Sequence, residues 1–181
     1  MKIVSPQITH KSDIGGVRIG LTDGDDVSKV YREIMEAVTM KAPEAVIDGI
    51  SVQKMAPPGL ELVIGMNKDP QFGPVIMFGL GGTLVEVLED VAFRIVPLSR
   101  QDAKEMIRQT KAYRLLEGYR GQPRLDIEYI EDLLLRVSKM IEENPRIKEM
   151  DINPLIVYSD GAVAVDGRII LEDETVRTDS A

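Results

Sequence analysis

Two consecutive prolines and a glycine, Pro57-Pro58-Gly59, fall about one third of the way along this 181-residue chain. Neither proline has a backbone N–H, and each restricts the residue before it to extended conformations. No helix can run through the segment and no central strand can contain it. With Ala56 it reads as a hinge, dividing the sequence into residues 1–56, residues 57–171 and a charged tail, 172–181, expected to fray.

The first part opens with a short strand at residues 1–5. A polar loop containing His10 follows, with a Gly15-Gly16 pair, and then a second expected strand, Val17–Leu21. Thr22–Asp26 reads as a turn and helix cap. Val27, Val30, Ile34 and Val38 then recur at helical spacing until Pro43 stops the helix. Ala45–Met55 alternates as a strand up to the hinge.

The second part predicts strands at 60–66, 74–79 and 91–96, and a helix near 100–110 opened by Ser99-Arg100-Gln101-Asp102, a capping-box pattern. A Gly118–Gly121 turn separates a short helical piece from a long amphipathic helix. Ile127, Ile130, Leu134, Val137 and Ile141 form its apolar stripe, and Asn144-Pro145 ends it. Two strands close the chain, Ile147–Tyr158 and Ala162–Leu171, joined by a Ser159-Asp160-Gly161 turn. There is no internal repeat. The layout predicts an α+β (α/β) fold with a mainly antiparallel sheet and helices to one side.

Composition excludes several kinds of chemistry. With no cysteine there are no disulfides, thiolate metal sites or cysteine nucleophiles. A net charge of −8 opposes binding to a nucleic-acid backbone, so an anionic ligand needs a local pocket of lysines and backbone amides. The longest uncharged run, Pro70–Val85, is interrupted by Gly73, Pro74, Gly79, Gly81 and Gly82, and is too short to cross a bilayer. Nothing at residues 1–6 reads as a secretory leader, and a cytoplasmic protein without a membrane span is expected.

Three constellations can carry chemistry. In the terminal hairpin, residues whose numbers sum to about 320 should face one another. That places Asn153 near 167 and Asp151 near 169, with Asp166 within a residue of the same level. Oxygen donors on one face suit Mg²⁺, although a merely polar hairpin face explains them equally well. The second is Gly73–Glu86, a buried strand running into Gly79-Leu80-Gly81-Gly82. Its spacing is wrong for a dinucleotide fingerprint, and a tight structural turn is as good an explanation. The third is Val52-Gln53-Lys54-Met55 before the hinge, which can offer backbone groups to an adenine edge or simply connect two lobes. His10, the single histidine, is on general grounds a surface or capping residue.

Three stretches shift that balance. Ser5-Pro-Gln-Ile-Thr-His-Lys-Ser-Asp-Ile-Gly-Gly-Val17, Glu61–Gly82 with its Asp69-Pro-Gln-Phe-Gly-Pro74 block, and Asp151-Ile-Asn-Pro-Leu155 followed by Ala164-Val-Asp-Gly167 occur in this order. Together they resemble the ATP-grasp (β) subunit of ADP-forming acetyl-CoA synthetases, nucleotide-diphosphate-forming relatives of succinyl-CoA synthetase, over residues 2–171. The resemblance implies an ATP-grasp fold of two subdomains with mainly antiparallel sheets flanked by helices. It implies an acid-thiol ligase in which acyl-CoA, ADP and phosphate interconvert with free acid, CoA and ATP.

By position the resemblance makes His10 the phosphoryl carrier, with Asp151 as a third metal ligand or as the residue orienting the phosphohistidine. It assigns Lys2, Gly15 and Gly16 to the nucleotide phosphates and Gln53, Lys54 and Met55 to the adenine side. Glu61 becomes a nucleotide-site acid, and Asn153 and Asp166 become Mg²⁺ ligands. ATP/ADP and Mg²⁺ are the implied cofactors, and the implied partner is a CoA-binding α subunit in a hetero-oligomer. Family members carry several tens of residues before the lysine strand. Without them the resemblance implies that the 1–5 strand is an exposed sheet edge and that one wall of the adenine pocket is missing. The alternative is a truncated, non-catalytic nucleotide-binding or assembly module.

Overall fold

The computed structural model describes residues 1–8, 10–82 and 90–172. Thr83–Glu86 of the glycine-rich motif and the tail beyond Glu172 lie outside the described residues. The chain forms two units, Met1–Pro57 and Pro58–Ala181.

In the first unit, β1 (Lys2–Val4) pairs antiparallel with β2 (Gly49–Ser51), Lys2 opposite Ser51 and Ile3 opposite Ile50. On its other side β1 bridges to Val17. The Ile3 amide donates to the Gly16 carbonyl at 2.8 Å, and the Arg18 amide to the Met1 carbonyl at 2.9 Å. Among the described residues β1 is therefore flanked on both sides, and the expectation of an exposed edge there is corrected. The edges are β2 and the Val17 segment.

Both expected neighbouring strands are shorter than the sequence suggests. Residues 19–21 have no strand partner among the described residues. Ala45–Met55 keeps only Gly49–Ser51, because antiparallel pairing toward Ala45 would run along Ser5–Ile8, where Pro6 has no amide to give. The Gln7 side chain substitutes, its Oε1 accepting from the Val46 amide at 2.5 Å.

Helix α1 (Gly24–Lys41) is capped by Asp23, whose carboxylate accepts from the Asp26 amide at 2.9 Å. Its apolar face buries Ile34 and Val38 against Ile3 and Ile8, which forms the core of this unit.

The second unit is built on a sheet ordered β5 (Val91–Ile95), β4 (Gly73–Leu80), β3 (Leu60–Asp69), β6 (Ile147–Tyr158), β7 (Gly161–Ala164), with β8 (Gly167–Leu171) also on β6. Every pairing is antiparallel. Helices α2 (Arg100–Gln109), α3 (Ala112–Leu116) and α4 (Ile127–Glu143) supply Met106, Ile107, Leu116, Ile130 and Leu134 to a core shared with Leu62, Ile64, Ile76 and Phe78. All five residues of the expected α4 stripe are buried, and Ser99 and Asp102 form the expected capping box. The α+β reading with an antiparallel sheet holds. In the terminal hairpin Tyr158 pairs with Gly161, so the turn is the two residues Ser159 and Asp160. The returning strand is broken into β7 and β8 at Val165-Asp166.

Candidate functional site

The candidate site in the second unit lies where β6 loses regular pairing on both sides. Toward β3, Leu62 faces Leu155 and Ile64 faces Ile152, so Val63 opposes two residues, Asn153 and Pro154. This is a β-bulge, a device that re-aims a side chain, and it accommodates a proline that has no hydrogen to donate. Toward the hairpin partner, β7 has ended at Ala164 and β8 begins only at Gly167. Across that gap the Asn153 amide donates to the Asp166 carbonyl at 3.2 Å, and the Val165 amide to the Pro154 carbonyl at 3.0 Å. The pairing sum is 319 rather than 320, so Asp151 faces Arg168 and Asn153 is level with Asp166 itself.

The glycine-rich segment closes the site. Gly82 has φ +62°, and its amide donates to Asn153 Oδ1 at 3.0 Å. A Cβ placed on Gly82 would stand 1.8 Å from Glu61 Oε2, and one on Gly81 would stand 2.3 Å from the Leu62 carbonyl oxygen. The Gly81 amide donates to the Glu61 carbonyl at 2.8 Å. The pair thus allows the chain to lie against β3 with Glu61 and Asn153 on either side. In sequence this motif is equally consistent with a plain turn, because its reason lies in residues 20 and 71 positions away.

Electrostatically the site is anionic. Burial raises the Asp151 carboxyl above its ordinary value of 3.8, and the charges of Asp166 and then Glu149 raise it further, with Arg168 opposing. Arg168 also pairs with Glu149 at 3.9 Å. The donors are all oxygens, the chemistry of a hard cation. Among the described residues no three His, Cys, Asp or Glu side chains are grouped to hold a metal ion. An Asn–Asp pair without an all-protein cage fits Mg²⁺, which keeps waters and phosphate oxygens in its shell.

In the first unit, Lys2 is half-buried on β1 and His10 is exposed in the loop before Gly15-Gly16. The Gly15 amide donates to the Ser12 carbonyl at 3.0 Å and the Gly16 amide to the Lys11 carbonyl at 2.7 Å. Both amides close the loop on itself. Glycine is required at both positions, at Gly15 by its φ of +79° and at Gly16 by packing, since a Cβ there would stand 2.6 Å from Ile3 Cγ2. Gln53, Lys54 and Met55 are exposed and line a cavity of about 370 Å³. Arg18–Gly24 and Val27 form its other side.

Comparison with known proteins agrees with this architecture. A family model described as an ATP-grasp domain matches residues 1–171. The β subunit of acetate–CoA ligase (ADP-forming) I from Pyrococcus furiosus is 48% identical over 171 residues, which covers 94% of this chain and 74% of the relative. Acetate–CoA ligase (ADP-forming) I from Archaeoglobus fulgidus is 51% identical over 174 residues, 96% of this chain but only 25% of the longer relative. Among solved structures, dinucleotide forming acetyl-coenzyme A synthetase 1 of Ca. Korarchaeum cryptofilum, in complex with coenzyme A, Ca-AMPCP and HgCl⁺, superposes with a TM-score of 0.90. It is 56% identical, and the match covers 94% of this chain and 75% of that one.

The fold and site define an ATP-grasp domain. Within that class, the chain belongs to the family of ADP-forming acetate–CoA ligase β subunits. Among the described residues, no helix is long and apolar enough to cross a membrane.

Proposed function

We propose that this chain is the nucleotide-binding component of an ADP-forming acyl-CoA synthetase and passes a phosphoryl group between His10 and ADP. The observation that carries the reading is the double break in β6, which sets Asn153 level with Asp166 and bonded to Gly82, itself pressed on Glu61. That arrangement occurs in a chain 48% identical to a named β subunit.

In this reading Asn153 Oδ1 and the Asp166 carboxylate hold Mg²⁺, and Asp151 stands beside them. When bound, Mg²⁺ offsets the negative charge that accumulates on the oxygens of the transferring phosphate. Glu61 orients the nucleotide, Lys2 meets its phosphates, and Gln53–Met55 border the base. A CoA-binding partner subunit forms an acyl phosphate and hands the phosphoryl group on from its own histidine.

The chemical step at this chain is a pair of displacements. An imidazole nitrogen of His10 forms a bond to phosphorus as the partner's nitrogen–phosphorus bond breaks. A terminal ADP oxygen then forms its own bond to phosphorus, and the His10–phosphorus bond breaks to regenerate the imidazole. Imidazole suits both halves, because it is nucleophilic when neutral and leaves readily from phosphorus.

The test combines calorimetry with Mg-ADP on the full chain and ATP formation from acetyl-CoA, phosphate and ADP in the assembled complex. Micromolar binding, weakened in Asn153→Ala and Asp166→Asn, together with ATP formation supports the reading. No binding below about millimolar and no ATP would favour a non-catalytic assembly module.

A further inference from the structure

The loop that carries His10 is closed by two backbone bonds, the Gly16 amide to the Lys11 carbonyl and the Gly15 amide to the Ser12 carbonyl. Two of its carbonyls, those of Asp13 and Gly15, are taken instead by cationic side chains from elsewhere in the first unit. Lys41, in the last turn of α1, donates from Nζ to the Asp13 carbonyl at 3.0 Å. Arg18 donates from Nη1 to the Gly15 carbonyl at 3.1 Å and to the Val17 carbonyl at 2.9 Å. Arg18 is itself fixed, its amide and carbonyl bonding the carbonyl and the amino group of Met1 beside β1. The loop is thus tied to α1 at one point and to the strand layer at another, with Gly15 seated on Ala37 and Gly16 on Ile3.

We infer that Arg18 and Lys41 are positioning residues for phosphoryl transfer through His10, holding its loop between α1 and β1 by charge-assisted bonds to Gly15 and Asp13. The inference rests on the relay role proposed for His10. Neither side chain is required to touch the phosphoryl group. Their effect is on where the imidazole stands, and displacement of a reacting group by about 1 Å can cost roughly 100-fold in rate. A cation is needed at each place, because the acceptors are carbonyl oxygens and a charged donor binds them about twice as strongly as a neutral one. The guanidinium also spans two carbonyls from one nitrogen, at a reach set by its planar fork.

The experiment uses the chain assembled with its CoA-binding partner and follows single-turnover appearance of acid-labile phosphate on this chain from labelled acetyl phosphate. Arg18→Met, Lys41→Met and the double variant are compared with Arg18→Lys, Lys41→Arg and His10→Asn. Melting temperature and Mg-ADP affinity are measured on each. The expected result is a roughly 10- to 100-fold slower phosphorylation in the Met variants. Melting temperatures should stay close to wild type, and in Lys41→Met, which lies outside the cavity bordered by Gln53–Met55, Mg-ADP affinity should stay within about twofold. Lys41→Arg should recover most of the Lys41→Met loss.

If the double Met variant is phosphorylated within twofold of the wild-type rate while His10→Asn takes up no label, the positioning role is wrong and the relay stands. Equal slowing in Lys41→Met and Lys41→Arg also contradicts it. If His10→Asn labels and forms ATP at the wild-type rate, the relay itself is wrong.

Discussion

Gly82 gives its amide hydrogen to the side-chain oxygen of Asn153 at 3.0 Å, across 71 residues of sequence. One end of this bond is a glycine with positive φ pressed on Glu61, and the other is a bulged strand residue level with Asp166. It joins two motifs that look independent in the sequence, and it fixes where an oxygen ligand can be offered.

Substituting Gly82 by alanine should disturb both ends. The left-handed backbone costs an alanine about 1–2 kcal/mol, and the new methyl group displaces the Glu61 carboxylate. The expected outcome is a lower melting temperature together with weaker Mg-ADP binding. Unchanged binding would show that Glu61 is not held for the nucleotide.

Asn153→Ala removes the acceptor and leaves the Gly82 amide without it, at a cost of about 1 kcal/mol in stability. Mg-ADP affinity should fall at least roughly tenfold, since removing even an indirect metal partner has that effect. Calorimetry at fixed Mg²⁺ measures it directly. A change in stability alone would make Asn153 a structural residue.

Asp151 gives a pH signature. Its carboxyl is raised above 3.8 by burial, and then by Asp166 and Glu149, so the folded chain holds that proton more tightly than the unfolded chain does. Stability from this group is present below 3.8 and is lost as pH rises through the raised value. Asp151→Asn should therefore stabilise the nucleotide-free protein at pH 7, and the advantage should vanish as pH falls below 3.8. Melting curves of the two proteins across that range give the difference. An advantage independent of pH would mean that the carboxylate's charge is not its source.

Gly16→Ala should overfill the seat of the His10 loop. Its methyl group would meet Ile3 Cγ2 at 2.6 Å and the Lys11 carbonyl at 2.9 Å. Overpacking of this kind costs about 1–3 kcal/mol. Phosphorylation of His10 should slow, while Gly24→Ala, at a glycine that meets nothing within 4 Å and has no positive φ, should leave the loop in place. Chemical denaturation and single-turnover labelling measure the two effects.

The helices were legible because their periodicity reports one buried face, and the residues on the α4 stripe need no partner to be identified. Strand extents were less so. The Val17–Leu21 and Ala45–Met55 runs alternate like strands, but pairing is decided by what lies alongside. Pro6, with no amide to give, truncates the Ala45–Met55 run. The hairpin register was misjudged by one because Gly161 opens a strand instead of closing the turn.

The Asn153–Pro154 bulge and the break at Val165-Asp166 explain each other only in three dimensions, since the Val165 amide and the Pro154 carbonyl bond to each other across the gap. The link from Gly81-Gly82 to Glu61 and Asn153 was beyond a local reading. A close backbone approach leaves only the trace of a glycine, and that trace does not say what is approached.

The most direct measurement is rapid-quench labelling of the assembled complex with acetyl phosphate carrying labelled phosphate, followed by mass-spectrometric location of the label and assay of ATP after addition of Mg-ADP. Acid-labile phosphate on His10, discharged to ATP by Mg-ADP and absent in His10→Asn along with the ATP, is the predicted result. ATP formed by the His10→Asn complex at the wild-type rate would contradict it.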